Sequence, residues 1–538
     1  MSVRKNQAAA SCHDFGPDID HFHCRHVIDI IAYAELPTQI LTRPRQGLRS
    51  HGIKYMDSEE GKTKMDSKTL RQYGHTIVDW IADYMDHIEE YPVLAQVEPD
   101  QIKDQLPPAP PAESEDMEAI FDDFRQILLP GMTHWQHPSF FAYFPANTSA
   151  PSILAEFLTA ALGAQCMVWQ TSPAATELEE VVMGWLRQML GLPEDFSGVI
   201  QDTASTSTLC ALLCARERTT SFAINKQGFQ DGTRQKLMVY TSEEAHSSVE
   251  KGVKIAGFGK NHLRLIPTGT DFAMIPEELE KAIETDRQDD HAPCCVVATV
   301  GTTSSTGMDP LRPIGEICGH YRLWLHVDAA MAGTAAILPE MRHLLDGIEY
   351  ADSFVFNPHK WMFTNFDCSA YFCKDPKALT STFEILPEYL KTGVDRRVKN
   401  FRDWGIPLGR RFRALKLWFV IRYFGIRGLQ AKVRAHIQLA KKFESWIRTD
   451  PRFEVMAPVT INVVCFRYHP SNRTVTEEEL EQINQGLMDE LNRSGRMFLT
   501  HTKLKGKFTL RLCIGQTNTT QDHVRRAWQR LQASVADL

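Results

Sequence analysis

The chain has 538 residues, of which 43% are hydrophobic and 23% are charged, and its formal net charge is −8. This composition is typical of a globular protein with roughly two to four domains, and the acidic balance argues against nucleic acid and anionic membranes as partners, because both bind basic surfaces. No apolar run reaches the ~20 residues that span a bilayer, no secretory signal opens the chain, and the cysteines form no disulfide-like framework, so we expect a cytoplasmic protein.

Residues 1–55 differ from the rest of the chain because they lack a periodic apolar pattern. They contain residue types that bind zinc, namely Cys12, His13, His21, His23, Cys24 and His26. The irregular spacing of these residues fits no zinc-finger pattern, so we expect a disordered extension and no metal site. Translation could also start at Met56 or at Met65.

Residues 56–149 are predicted to form a helical N-terminal segment. Apolar side chains recur at helical spacing in its first part and form one stripe, namely Ile77, Ile81, Tyr84 and Ile88. A proline-rich run at 105–112 then interrupts the chain before a second amphipathic helix, predicted at Met117–Leu129. A stripe of this kind must be buried against another surface.

Residues 150–415 alternate strand-like and helical apolar runs, which is typical of a large α/β domain with a mostly parallel sheet. The predicted strands are Lys236–Tyr240, Leu263–Ile266, Cys294–Val300, Leu323–Val327 and Ser353–Phe356. Residues 416–538 are predicted to form a smaller C-terminal α/β domain. Its predicted elements are a long helix at Ala431–Arg448, strands at Thr460–Phe466 and Phe508–Ile514, and a closing helix from Thr520.

Two polar motifs follow predicted strands of the large domain. Asp328 directly follows the run Leu323–Val327. Lys360 lies in Asn357–Trp361, which directly follows Ser353–Phe356. In α/β proteins, ligand-binding and catalytic residues commonly lie at the carboxyl ends of the strands. A lysine there can form a Schiff base with an aldehyde cofactor, and an aspartate one strand away can hold a protonated pyridine nitrogen. The pair indicates a pyridoxal phosphate site, although a lone lysine after a strand is more often a solvated surface group.

A third motif has small and hydroxyl residues, Asp202–Thr208, just before a run of good helix formers, Leu209–Leu213. The first backbone N–H groups of a helix have no intrahelical acceptor and can bind a phosphate, which the helix dipole also favours. An ordinary Ser/Thr N-cap explains this segment equally well.

Together with Ala245–Ser248, Gln201–Ser205 and Pro407–Arg413, the lysine and aspartate motifs resemble, in order and spacing, the group II pyridoxal-phosphate-dependent amino-acid decarboxylases. Within that group the aromatic-L-amino-acid decarboxylases are the most similar, and the resemblance extends from about Met65 to the C-terminus. It implies pyridoxal phosphate fold type I, which is aspartate aminotransferase-like, with a large mostly parallel sheet domain, the smaller C-terminal domain and the helical N-terminal segment.

The resemblance also implies roles for individual residues. Lys360, Asp328, His246 and Tyr389 would be catalytic, with His246 stacked on the cofactor ring and Tyr389 supplying a proton to the α-carbon from a mobile loop. The implied cofactor-binding residues are Lys360, Ala204, Ser205, His246, Thr303, Asp328, Ala330, Asn357 and His359. The implied substrate contacts are Trp135, Tyr143, Phe144, Pro145, Gln165, Met167 and Gly409, with Gln165 and Met167 reaching the site from a partner subunit.

The implied reaction is decarboxylation of an aromatic L-amino acid (DOPA, tyrosine, tryptophan or phenylalanine) to an amine and CO2 by a homodimer. Its N-terminal helices would pack across the partner subunit.

Three competing functions are weighed against this reaction. The first is an aldehyde synthase of the same family, although such enzymes typically replace the residue that matches Tyr389 by phenylalanine or the one that matches His246 by asparagine. The second is a decarboxylase of glutamate or cysteine sulfinate, which needs a cation beside the distal acid; 135–146 contains no lysine or arginine, although other segments could supply one. The third is a non-catalytic binding protein, which is disfavoured because the chain keeps Lys360, Asp328, His246 and Tyr389 together.

Overall fold

The structure, a computed structural model, describes residues 65–229, 236–385, 388, 393, 397–471 and 473–536. The predicted extension at 1–55, with its cysteine and histidine residues, lies outside the described residues, and so does Tyr389. Ser67–Leu538 clusters as one unit that contains two sheets.

The larger sheet has seven strands, and its order is β1-β7-β6-β5-β4-β2-β3. The strands are β1 (Ser197–Gln201), β2 (Leu237–Ser242), β3 (Leu263–Ile266), β4 (Ala292–Thr299), β5 (Trp324–Asp328), β6 (Ser353–Phe356) and β7 (Ser369–Cys373). Strands β3, β2, β4, β5 and β6 pair in parallel, while β7 is antiparallel to both β6 and β1. The mostly parallel α/β fold predicted from the sequence is therefore confirmed.

Apolar side chains on both faces of these strands explain why the sheet is buried between helices. Strand β4 reads Ala-Pro-Cys-Cys-Val-Val-Ala-Thr, and its last six residues are all buried. A parallel strand covered on both faces reads as a continuous apolar run, as this one does. The helices up to the end of this sheet are α1 (Ser67–Asp86), α2 (Met117–Asp123), α3 (Ala150–Leu162), α4 (Pro173–Leu190), α5 (Ala204–Thr219), α6 (Ala223–Gln227), α7 (Ser248–Ile255), α8 (Pro276–Gln288), α9 (Leu311–Tyr321) and α10 (Pro358–Trp361).

The smaller sheet is antiparallel, in the order β10-β11-β9-β8, and it lies in the C-terminal part of the chain. Its strands are β8 (Phe453–Val455), β9 (Val463–Tyr468), β10 (Thr500–Leu504) and β11 (Lys507–Cys513). The helices of this part are α12 (Arg413–Thr449), α13 (Glu477–Arg493) and α14 (Gln521–Ser534), whereas α11 (Pro376–Phe383) packs on α5 beside the larger sheet. Phe443 of α12 packs edge-on against Phe466 of β9 and Trp528 of α14, which joins this sheet to its helices in one aromatic core.

Two predicted helices differ from those observed. The helix expected at Met117–Leu129 is divided into α2, a π-helical turn at Phe124–Leu128 and a 3-10 turn at Leu129–Gly131, where Pro130 cannot donate a backbone hydrogen bond. The helix expected at Ala431–Arg448 begins much earlier, at Arg413, and crosses the predicted boundary between 415 and 416. Its first half is rich in aromatic and β-branched residues, and Gly425, at φ 63°, interrupts it.

The N-terminal helix α1 forms as predicted, but none of its side chains is buried. Ile77, on its predicted apolar stripe, is 36% exposed. Among the described helices, none combines the length and the apolar character that a bilayer crossing requires.

Candidate active site

A cavity of about 250 Å³ lies at the edge of the larger sheet where β4, β5 and β6 end. Thr299 and Asp328 are the last residues of β4 and β5, and Asn357 directly follows β6. Because the carboxyl ends of parallel strands meet at one edge of a sheet, the three segments converge there. The residues that line the cavity are Phe144, Thr203, Ala204, Ser205, His246, Ser248, Thr299, Gly301, Thr303, Asp328, Ala330, Asn357, His359, Lys360 and Phe366.

Lys360 and Asp328, the two residues that indicated a pyridoxal phosphate site, both line this cavity. The helix α10 that carries Lys360 begins with Pro358, and the backbone N–H of Lys360 donates to the carbonyl of Asn357 at 2.9 Å. Burial lowers the pKa of Lys360, while the nearby carboxylate of Asp328 opposes that shift. A lowered amine pKa increases the neutral, nucleophilic fraction of a lysine.

His359 and His246 also line the cavity, and the backbone fixes which ring nitrogen of each carries the proton. The N–H of Cys368 donates to Nδ1 of His359 at 2.8 Å, and the N–H of Ser248 donates to Nδ1 of His246 at 3.2 Å. Each neutral ring therefore keeps its proton on Nε2. Burial lowers the pKa of His359 to about 3, and burial also lowers the pKa of His246. Both rings are neutral donors at physiological pH.

The remaining polar atoms fit a phosphorylated aldehyde with a basic ring nitrogen. Helix α5 begins at Ala204, with Thr203 as its N-cap, so its first backbone N–H groups open toward the cavity without intrahelical acceptors. Oδ1 of Asn357 and Oγ1 of Thr299 are buried, and neither has a hydrogen-bond partner among the described residues. Buried polar atoms without partners are rare in proteins, and a polar ligand in this cavity would give these two atoms partners.

Asn147 holds the backbone of the segment that contains His359 and Lys360, although no sequence motif identified it. Its Nδ2 donates to the carbonyl oxygens of Lys360 at 2.6 Å and Gly515 at 2.7 Å. Its own N–H donates to the carbonyl of His359 at 3.1 Å, and its Oδ1 accepts from Thr517. These partners are far apart in the sequence, so only the fold reveals the contact. Thr299 and Phe366 also line the cavity and lie outside the motifs, while Thr203 and Ser248 lie within two of the motifs but were given no role.

The predicted substrate contacts fall into two groups. Phe144 lines the cavity, and its ring centroid lies 5.2 Å from Nζ of Lys360. Tyr143 stacks on Trp135 with ring centroids 5.8 Å apart and lines a neighbouring pocket of about 370 Å³, whose wall shares Thr303 with the first cavity. The backbone of Tyr143 lies in the left-handed region, at φ 50°, which is uncommon for a bulky residue and frequent at functional sites.

The other predicted contacts do not line the cavity of their own chain. Pro145 packs closely against Gly515: a Cβ placed on this glycine would lie 2.5 Å from Cγ of the proline. Gln165 lies beside Gly409, and its Oε1 accepts the N–H of Arg410 at 2.6 Å. The carbonyl of Met167 accepts the N–H of Arg402 at 3.0 Å. The structure thus brings Gln165, Met167 and Gly409 together, but away from the Lys360 cavity.

Known proteins match this chain closely in sequence and structure. The model of the pyridoxal-dependent decarboxylase conserved domain matches residues 99–469. Tryptophan decarboxylase 2 of Oryza sativa is 44% identical over 484 residues, which are 88% of this chain and 96% of that protein. Phenylacetaldehyde synthase of Arabidopsis thaliana is 43% identical over 495 residues, or 90% of this chain and 99% of that protein. The crystal structure of Catharanthus roseus tryptophan decarboxylase in complex with L-tryptophan superposes with a TM-score of 0.82 at 41% identity, covering 88% of this chain and 99% of the other. The chain therefore belongs to the pyridoxal-dependent decarboxylase family, as a carboxy-lyase whose cofactor is pyridoxal phosphate.

Proposed function

We propose that this chain decarboxylates an aromatic L-amino acid to the corresponding amine and CO2. The observation that carries the proposal is the convergence of Lys360, Asp328 and the ring of Phe144 on one cavity. The similarity to decarboxylases of tryptophan supports the choice of an aromatic substrate. An aromatic side chain would find offset stacking partners in Phe144 and in the adjacent Tyr143.

Different residues of the cavity would bind different parts of the cofactor. Lys360 would bind its aldehyde carbon, and the carboxylate of Asp328 would accept a hydrogen bond from its protonated ring nitrogen and so favour the charged ring. The open N–H groups of Ala204 and Ser205, with Nε2–H of His359, would bind the phosphate, and Asn357, Thr303 and Ala330 would complete the wall. When bound, pyridoxal phosphate supplies an electron-accepting ring that takes up the electrons released as the carboxylate leaves.

His246 and Tyr389 would control what happens around the reacting carbon. His246 is held by two contacts to its Nδ1, from the N–H of Ser248 at 3.2 Å and from the Ser248 hydroxyl at 2.8 Å, so the plane of its ring is fixed. A fixed neutral imidazole can stack on a ligand ring and keep that ring in one orientation. Tyr389 would donate the proton that replaces CO2 at the α-carbon.

The charges around the cavity disfavour an acidic substrate. A distal carboxylate such as that of glutamate needs a cation beside it in a low-dielectric site. Apart from Lys360, no lysine or arginine lines the part of this cavity that the structure describes. Arg511 lines the neighbouring pocket, but its guanidinium already donates to the carbonyls of Thr303 and Ser304. Lys360 itself is needed for the cofactor, so a substrate without a distal charge is favoured.

We also propose that the active molecule is a homodimer. Helix α3 exposes a row of apolar side chains, namely Leu154 (52%), Phe157 (39%), Leu158 (48%) and Leu162 (64%). Beside it, α1 borders an apolar groove of about 410 Å³ with Trp80 and Ile81 in its wall. Exposed apolar surface on this scale marks an interaction site. Gln165, Met167 and Gly409 lie away from the cavity of their own chain, which is consistent with a role in the partner's site.

An aromatic aldehyde synthase is the second candidate, because a relative as similar as the decarboxylases is a phenylacetaldehyde synthase. The two reactions share the cofactor and the loss of CO2, and they differ in whether the α-carbon is protonated or oxidised. The sequence retains both a tyrosine at position 389 and a histidine at position 246. These residues favour protonation and therefore amine formation.

The test is a panel of L-amino acids incubated with the purified holoenzyme while CO2, amine, aldehyde and peroxide are measured together. We expect CO2 and amine in equal amounts from at least one of DOPA, tyrosine, tryptophan and phenylalanine, and no turnover of glutamate or cysteine sulfinate. Aldehyde and peroxide in place of amine would establish the synthase reaction. CO2 release from the acidic substrates alone would refute the aromatic assignment.

A further inference from the structure

Arg511 is a buried cation in the smaller sheet for which the described residues offer no carboxylate. It lies on β11 and is 4% exposed, yet no aspartate or glutamate of the described chain lies within ion-pair distance of it. Burial of a charge without an ionic partner is costly, and it persists only when other polar groups compensate. The groups that compensate here belong to the wall of the cofactor cavity.

The guanidinium of Arg511 donates to two successive backbone carbonyls of the loop after β4. Its Nη2 donates to the carbonyl of Thr303 at 2.7 Å and its Nε to the carbonyl of Ser304 at 2.8 Å, while Nη1 donates to Oγ1 of Thr500 at 3.2 Å. Only a planar fork of donors can bind two adjacent carbonyls in this way. Because Thr303 lines the cofactor cavity, the fork fixes part of the cavity wall.

Other groups of the smaller sheet hold the same loop. The Oγ1 of Thr502, on β10, donates to Oγ of Ser304 at 3.0 Å, and the thiol of Cys465, on β9, donates to the carbonyl of Ser304 at 3.2 Å. Three strands of one sheet therefore converge on two residues of a loop that belongs to the other sheet. Arg511 is the one charged member of this set.

Arg511 also contacts a second wall of the cavity. Its guanidinium carbon lies 5.5 Å from the ring centroid of Phe144, and Nζ of Lys360 lies 5.2 Å from the same centroid. A guanidinium within about 6 Å of an aromatic ring is attracted by its π-face. The orientation of Phe144, which faces the lysine, is thus coupled to the position of Arg511.

We propose that Arg511 is a positioning residue for the cofactor site, acting through Thr303, Ser304 and Phe144. It contacts neither Lys360 nor Asp328 and is not itself catalytic. The inference deepens the proposed function, but its first readout, binding of pyridoxal phosphate, does not depend on the identity of the substrate. The smaller sheet, which carries Arg511, would then form part of the cofactor site.

The test compares Arg511→Lys and Arg511→Gln with the matched control Arg467→Gln. Arg467 is also 4% exposed and lies on the adjacent strand β9, but it is paired with Glu454 and Glu477 and does not contact the Thr303 loop. The dissociation constant for pyridoxal phosphate is measured by titrating the apoenzyme of each variant, together with its thermal midpoint. Values of kcat and KM are then measured at saturating cofactor.

We expect both Arg511 variants to bind the cofactor more weakly by about tenfold or more and to lose about 10- to 100-fold in kcat, because displaced supporting groups misplace the reacting ones. Lysine should not restore the wild-type values, since it lacks the fork. Should Arg511→Gln fail to fold, Arg511→Lys carries the comparison, because it keeps the charge and most of the stem.

Two results would overturn the inference. One is an Arg511→Lys variant with wild-type cofactor affinity and kcat, and the other is an Arg511→Gln variant that loses thermal stability like Arg467→Gln but binds the cofactor normally. If the wild type turns over no aromatic amino acid while the cofactor affinities change as expected, the proposed substrate is wrong and the role of Arg511 stands.

Discussion

Two opposing effects act on the pKa of the Lys360 amine in the cavity, and their balance sets how much of the amine is neutral and reactive. Burial lowers its pKa and Asp328 raises it, with burial as the larger cause. The neutral amine is therefore more available near neutral pH than that of a surface lysine. At the same time, burial keeps the ring of His359 uncharged, and Nε2–H is its donor because Nδ1 accepts the N–H of Cys368. The site is thus prepared for a nucleophilic amine and a bound anion at the same pH.

The first prediction tests the proposed role of Tyr389, which rests on the resemblance to the family alone because this residue lies outside the described residues. Tyr389→Phe keeps the ring and removes only the proton donor. The rate of amine formation should fall by about 10²- to 10⁴-fold, which is the usual contribution of one general acid. Cofactor affinity should stay within about twofold to threefold of the wild type, because the phenol does not hold the cofactor. With dissolved O2 as the oxidant, aldehyde, ammonia and hydrogen peroxide should replace the amine.

The control is Tyr350→Phe, which changes a surface tyrosine that is 39% exposed and packs against Arg312. It should leave all products unchanged. Amine production at the wild-type rate in Tyr389→Phe, without peroxide, would mean that another group, such as His246, donates the proton.

At the scale of elements, the short helix α10 depends on Asn147 for its position. Replacement by alanine leaves the buried carbonyls of Lys360 and Gly515 without their shared donor, and each unsatisfied buried acceptor costs ~1–3 kcal/mol. We predict that Asn147→Ala lowers the free energy of unfolding by about 2–4 kcal/mol and weakens cofactor binding. Urea denaturation and cofactor titration measure the two effects.

Asn225→Ala is the matched control, because Asn225 donates one exposed hydrogen bond to the carbonyl of Thr382. It should change the free energy of unfolding by less than about 1 kcal/mol. An Asn147→Ala variant as stable as Asn225→Ala would show that the lysine segment is held by other contacts.

The elements that the sequence predicted best are those with an unambiguous local pattern. Leu263–Ile266 and Ser353–Phe356 are strands with the predicted bounds, and Lys360 and Asp328 are where strand ends placed them. Strand β7 was not predicted, because a short apolar run between turns has no period that separates strand from helix. Asn147 and Arg511 could not be identified either, since their partners are remote in sequence and become neighbours only when the two sheets meet.

At the scale of the whole molecule, buried neutral histidines make stability depend on pH. Burial lowers the pKa of His326 and His436 from 6.5 to about 4. Between these values the unfolded chain binds a proton that the folded chain does not, so each residue contributes stability above pH 6.5 that is lost as the pH falls toward 4. The loss is ~1.4 kcal/mol per pH unit for each histidine.

We therefore predict that His436→Gln reduces the slope of unfolding free energy against pH between pH 6.5 and 4 by ~1.4 kcal/mol per pH unit. Glutamine can still accept the hydrogen bond that Nε1 of Trp361 donates to His436. Urea denaturation at several pH values measures the slope. Equal slopes for the two proteins would contradict a buried neutral imidazole at this position.

The N-terminal segment provides a test of the proposed homodimer. Removal of residues 1–55 should leave folding and activity nearly unchanged, because that stretch has no periodic apolar face. Removal of 56–130 should abolish the dimer, since α1 and the groove beside it would be lost. Sedimentation and activity are measured for both truncations. A monomeric but fully active product of the longer truncation would refute packing between subunits.

The assignment of Lys360 as the cofactor-binding lysine is tested by identifying which lysine carries the cofactor. The holoenzyme is reduced with borohydride, which fixes the cofactor to its lysine, and the digested peptides are mapped in the wild type, in Lys360→Ala and in the surface control Lys281→Ala. We expect a label on Lys360 in the wild type and the control, no label at all in Lys360→Ala, and a loss of turnover in that variant of more than about 10³-fold. A label on any other lysine of the wild type, or unimpaired turnover by Lys360→Ala, would contradict the assignment of this cavity as the active site.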